Sequence, residues 1–154
     1  MGYSILQKIV EKKRKLMMLT RSAEDAWIME EKKIIEKRLK WFEENKHKLK
    51  FLKGTDVEKA YRLFYLNYLK IKEEEIKIVE KSARKIVIRC YNFCPVLEAC
   101  KELGLDTRVV CKKLYERPTQ IFVKQINPKL KFKRNYDKIR PYTPFCEECI
   151  ELAD

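Results

Sequence analysis

At 154 residues, 45% of them apolar, the chain can bury a core without help from disulfides or metal, and disorder is set aside. Its net charge of +13 would draw nucleic acid or an anionic surface non-specifically, although a solvated lysine-rich surface carries the same charge. No apolar run approaches the roughly 18 residues of a membrane span, and the N-terminus lacks a signal-peptide core, so a cytoplasmic protein is expected, with no membrane partner. Charged residues make up 38%, a Lys- and Glu-rich balance resembling hyperthermophile proteins.

In chain order, residues 5–18 carry a helical stripe of Ile5, Leu6, Ile9, Val10, Leu16 and Met17. Ser22 and Asp25 read as an N-cap signal for a longer helix. There Ile28, Ile35, Phe42 and Leu49 recur every seven residues beside a column of Trp27, Ile34 and Trp41, predicting a broad inward face. Gly54 closes that helix, and Thr55 with Glu58 caps a third, in which Val57, Tyr61, Phe64, Tyr68 and Ile71 point inward. Its tyrosines need partners for their hydroxyls wherever they are buried.

The period then changes. Ile76–Val79 and Ile86–Ile88 are β-branched runs that predict a hairpin. Pro95 opens a short helix closed by Gly104, and Asp106 caps another that is expected to break at Pro118. Leu130–Tyr136 alternates as a strand, and 146–152 is a last strand or a turn of helix. The fold class is therefore α+β: a single domain over 1–154, with a helical half (1–74) and a cysteine-rich half (75–154) of antiparallel strands with two inserted short helices.

All six cysteines fall in that second half. Cys90 and Cys94 form a C-x3-C at the end of the second hairpin strand, and Cys146 and Cys149 a C-x2-C near the end of the chain. Four thiolates from two loops suit tetrahedral zinc or an iron–sulfur cluster, so these four are the candidate metal ligands. Cys100 and Cys111, on helical stripes, are further thiols. Disulfides and free thiols are the alternatives to a metal.

Nucleophilic catalysis lacks an imidazole, since the only histidine, His47, sits in a charged helix end. Glu98, Glu116 and Glu147 remain candidate bases, so enzymatic activity stays open, and no glycine-rich phosphate loop is present. Ten basic and two acidic residues lie between Lys112 and Arg140. Within that stretch Lys131, Lys133 and Arg134, interleaved with Phe132 and Tyr136, form a candidate nucleic-acid strand.

The run Ile86-Val87-Ile88-Arg89-Cys90, the helix ending in Leu103-Gly104-Leu105, Cys111, Ile126-Asn127-Pro128-Lys129-Leu130, Arg134 and Cys146-Glu147 resembles the C-terminal part of the L-2-amino-thiazoline-4-carboxylic acid hydrolase-like family. Its layout is also similar to 4-vinyl reductase domains. The resemblance implies an α+β domain that binds a small molecule, with the cysteines near its pocket or metal. The chain departs from the pattern at Arg140–Phe145, where the family carries a glycine before the final cysteine. It departs again at Lys112-Lys113, where an acidic residue is usual. A sensor, carrier or hydrolase-like role follows, as a monomer or a homo-oligomer. The alternatives are a nucleic-acid-binding accessory protein and a protein–protein adaptor with structural cysteines.

Overall fold

The computed structural model describes residues 4–154. Helix α1 (Ile5–Thr20) opens with a capping box, in which the Ser4 hydroxyl accepts from the Gln7 N–H and the Gln7 side chain accepts from the Ser4 N–H. Only Leu16 and Leu19 of α1 are buried, so the expected stripe turns inward only towards the end of the helix, while Ile5, Leu6 and Val10 are exposed.

Helix α2 (Glu24–Asn45) differs from its expected form in two ways. Its N-cap is Ala23, because the Ser22 hydroxyl donates back to the Met18 carbonyl instead of capping forward. Its inward face is also partly polar. Trp27 and Phe42 are buried as expected, but Glu30 and Arg38 are buried with them, while Ile28 is 56% exposed. The helix tightens into a 3-10 turn at Lys46–Phe51 before Gly54, whose φ of +102° only glycine adopts freely.

Thr55 caps α3 (Asp56–Tyr61), accepting from the Glu58 N–H. The chain then runs on as a π-helix over Arg62–Tyr68, with the Leu69 N–H donating five residues back to the Phe64 carbonyl. Lys70, at φ +56°, ends it.

The hairpin forms as expected from β1 (Ile76–Lys81) and β2 (Lys85–Cys90). Pro95 sits in the first turn of α4 (Pro95–Leu103), and Gly104 closes it in the left-handed region at φ +68°. Asp106 caps α5 (Thr107–Cys111), which passes into a second π-helical segment, Lys112–Glu116, and then α6 (Arg117–Ile126). Pro118 does not break this run. It occupies the first turn of α6, where its missing N–H is tolerated. Strands β3 (Leu130–Arg134) and β4 (Cys146–Leu152) complete an antiparallel sheet of order β1-β2-β4-β3.

The fold is α+β, with helices α3 and α6 packed on one face of the sheet. Ile86, Ile88, Leu130, Phe132 and Ile150 face them and join Phe42, Phe64, Tyr65 and Phe122 in the main core. Phe122 is its centre, with ring centroids of Phe42, Phe64 and Tyr68 at 5.6, 5.0 and 5.6 Å. A second cluster joins Leu16 and Leu19 of α1 and Trp27 of α2 to Val96, Ala99, Cys100, Val110 and Leu114. The N-terminal helices thus pack on elements of the second half. No helix among the described residues is long and apolar enough to cross a membrane.

Candidate functional site

The sheet places the thiols. In the antiparallel register of β2 and β4, Cys90 stands directly opposite Cys146. Both lie in the alternation set of Ile86, Ile88, Glu148 and Ile150, on the helix-covered face. The chain leaves β2 through Asn92 and Phe93, reaches Cys94 as the N-cap of α4, and turns Cys100 into the second cluster. Helix α5 ends at Cys111, whose carbonyl accepts from Arg134 Nη1 at 3.5 Å.

Two arginines organise this end of the sheet. Arg140 donates to Cys146 Sγ twice, from Nε at 3.3 Å and from its backbone N–H at 3.5 Å, while its Nη1 donates to the Asn92 carbonyl. It therefore ties the start of β4 to the β2–α4 corner. Arg134, whose side chain is only 9% exposed, pairs with Glu148 at 3.3 Å. Glu148 also accepts from the hydroxyl of the fully buried Tyr65 at 2.7 Å. Tyr65, Glu148 and Arg134 thus form a closed polar row inside an otherwise apolar layer. Burial, the Glu148 charge and the bond to Glu148 all hold the Tyr65 hydroxyl protonated, well above the usual tyrosine range.

All six thiols are free. Burial pushes Cys100 up to about 11 and Cys111 up to about 12, and raises Cys90 and Cys94 as well. The thiols also raise one another: Cys146 acts on Cys90, Cys94 and Cys111, and Cys94 on Cys100 and Cys111. Arg134 and Arg140 pull Cys90 the other way. Cys90 and Cys146 thus face each other beside Arg140, the Cys111 carbonyl meets Arg134, and Cys94 and Cys100 belong to the second cluster.

Cys149 lies three residues beyond Cys146 on the same strand, so the period of two turns it to the opposite face. There it sits opposite Val87 and Lys133, and burial and Glu151 raise it. Of the four expected ligands, the register therefore brings Cys90 and Cys146 together on one face and turns Cys149 to the other. Among the described residues no three His, Cys, Asp or Glu side chains are arranged to hold a metal ion.

The remaining candidates separate as well. Of the basic strand, Lys131 and Lys133 are exposed, and Lys133 pairs with Glu151, whereas Arg134 and Phe132 turn into the core. These side chains do not form one surface. Glu98 pairs with Lys101 at 3.6 Å, Glu116 accepts from the Tyr136 hydroxyl at 2.8 Å, and Glu147 pairs with Arg89 at 3.1 Å. The carboxylate beside Cys90 is Glu148 instead. His47 is exposed.

Comparison with known protein families, with curated proteins and with solved structures finds no match. The reading of this site rests on its own chemistry.

That chemistry extends towards α2. Arg38 is 7% exposed and reaches between the two π-helical segments, with its guanidinium carbon 5.2 Å from the Phe64 ring, 5.6 Å from Tyr68 and 5.8 Å from Tyr115. Its Nη1 donates to Thr119 Oγ1 at 2.7 Å. Sequence reasoning missed Arg38, Glu30 and Glu148 because charged residues read as surface. The available signal was position: Arg38 lies four residues after Ile34 and four before Phe42, on the same helical face.

Proposed function

We propose that the protein binds a small molecule at the thiol-lined end of its interior, acting as a sensor or carrier. The observation that carries this is the pairing of Cys90 and Cys146 beside Arg140, next to the Tyr65–Glu148–Arg134 row on the core side of the sheet. Buried polar and ionic groups give little net stability compared with apolar residues of the same volume, so a cluster of them in a core points to a use beyond packing. Reaction chemistry is not assigned: no imidazole adjoins the thiols, and Glu148 is already engaged by Arg134 and Tyr65.

The test is native mass spectrometry and elemental analysis of protein purified without oxygen, beside a Cys90→Ser/Cys146→Ser variant. A co-purifying organic mass that the variant loses is the expected result. A stoichiometric metal lost in the variant would replace the small-molecule reading with a metal-binding one. Protein free of both, and indifferent to the double substitution in a small-molecule binding screen, would end the proposal.

A further inference from the structure

Arg38 presents a separate problem, and its solution does not depend on the thiols. Arginine keeps its charge at any pH a protein meets, so burying it demands a partner. Nearby carboxylates are committed elsewhere: Glu30 to Lys15 at 2.7 Å, Glu31 to Arg117 at 3.6 Å, and Glu148 to Arg134. Three rings and one hydroxyl offset part of the charge. The Nε atom, fully buried, has no hydrogen-bond partner at all. An unsatisfied donor of this kind in a folded protein marks a bound water, ion or ligand at that atom, a redox or catalytic role, or stored strain.

The surroundings select the first. Both π-helical segments, Arg62–Tyr68 and Lys112–Glu116, border this guanidinium, contributing Phe64 and Tyr68 from one and Tyr115 from the other. π-Helical insertions are rare, cost helical regularity and recur at functional sites. Tyr68 and Tyr115 are only half-buried, so the guanidinium lies one side-chain layer below the surface. Lys12 Nζ donates to the Tyr115 hydroxyl at 3.4 Å, adding a second cation and leaving the phenolic proton available.

We propose that Arg38 anchors an anion-binding site between α2 and the two π-helical segments, taking the carboxylate of a small aromatic acid. The unspent Nε side of a guanidinium is planar and meets a planar carboxylate through two parallel N–H donors. The rings of Phe64, Tyr68 and Tyr115 supply the apolar wall that an aromatic acid needs and an inorganic ion does not.

The test is calorimetric titration and thermal shift of the intact protein with benzoate, acetate, benzamide, chloride and phosphate. Benzoate should bind and raise the melting temperature, acetate should bind more weakly, and benzamide should do neither. Arg38→Met should weaken benzoate at least about tenfold, as loss of a charge-assisted hydrogen bond implies. Arg38→Lys, which keeps the charge without the planar edge, should fall between. Cys90→Ser/Cys146→Ser should leave benzoate binding unchanged, which separates this site from the thiol site. Equal effects of benzamide and benzoate on the wild-type protein would overturn the proposal even if Arg38→Met failed to fold. Binding of chloride or phosphate without benzoate, or of none of the probes, would overturn it too.

Discussion

Cys146 and Cys149 stand three residues apart on β4 and face opposite sides of the sheet, the first bonded to Arg140 and the second beside Lys85 and Lys133. The two thiols are therefore chemically distinct. Cys149 is partly exposed on the outer face, whereas Cys90 and Cys100 are buried and held protonated. Alkylation of the native protein at neutral pH should label Cys149 well before Cys90 or Cys100, as followed by peptide mass mapping. Labelling of Cys100 should rise only as the pH approaches its raised value of about 11, because the thiolate is the reactive form.

The polar row across the sheet gives a stability prediction. Glu148→Ala strands the Arg134 charge and leaves the Tyr65 hydroxyl without its acceptor. A loss of about 3–5 kcal/mol is expected, measured by urea unfolding. Lys131→Ala and Lys133→Ala, three and one residues before Arg134 but on the exposed face, should each change stability by no more than about 1 kcal/mol.

At the centre of the core, Phe122 is fully buried among Trp41, Phe42, Phe64 and Tyr68. Phe122→Ala should cost about 3–5 kcal/mol, read from the shift in the denaturant midpoint at constant slope.

Glu147 sets part of the acid limb. Burial opposes its charge, but hydrogen bonds from Asn135 and Arg89 and the nearby Lys138 hold its carboxyl below the usual glutamate range. The unfolded chain thus binds this proton more readily than the folded one. The stabilisation is full above the unfolded value of roughly 4.3 and is lost as the pH falls through the lower folded value. Unfolding free energy followed against pH should therefore drop less steeply below about pH 4 in Glu147→Gln than in the wild-type protein.

Much of this architecture can be read along the chain. The β-branched runs at 76–79 and 86–88 and the alternation in 130–136 announce the strands, and Thr55, Pro95, Gly104 and Asp106 mark helix ends by local chemistry that tertiary packing does not override. The π-helical segments are not legible, since they keep the same inward apolar residues and differ only in hydrogen-bond reach. Nor is the interior polar set. Arg38, Glu30 and Glu148 carry charges that ordinarily face water, and only pairing across 14 residues of sequence, in the case of Arg134 and Glu148, brings such charges inside. The C-x2-C was legible as a pair of thiols, but its geometry depended on whether 146–152 became strand or helix.

The strand order carries a further consequence, for the assembly of the chain. Because β4 lies between β2 and β3, the last of these four strands to be made fills the middle of the sheet. Until residues 146–152 have left the ribosome, the β1–β2 hairpin and β3 share no edge, and each exposes unpaired backbone. Such edges recruit other chains, and long-range pairing of this kind closes slowly. A protein released before Cys146 would hold every helix yet lack the strand that joins its halves of the sheet, so aggregation of nascent or truncated chains becomes the particular hazard of this topology.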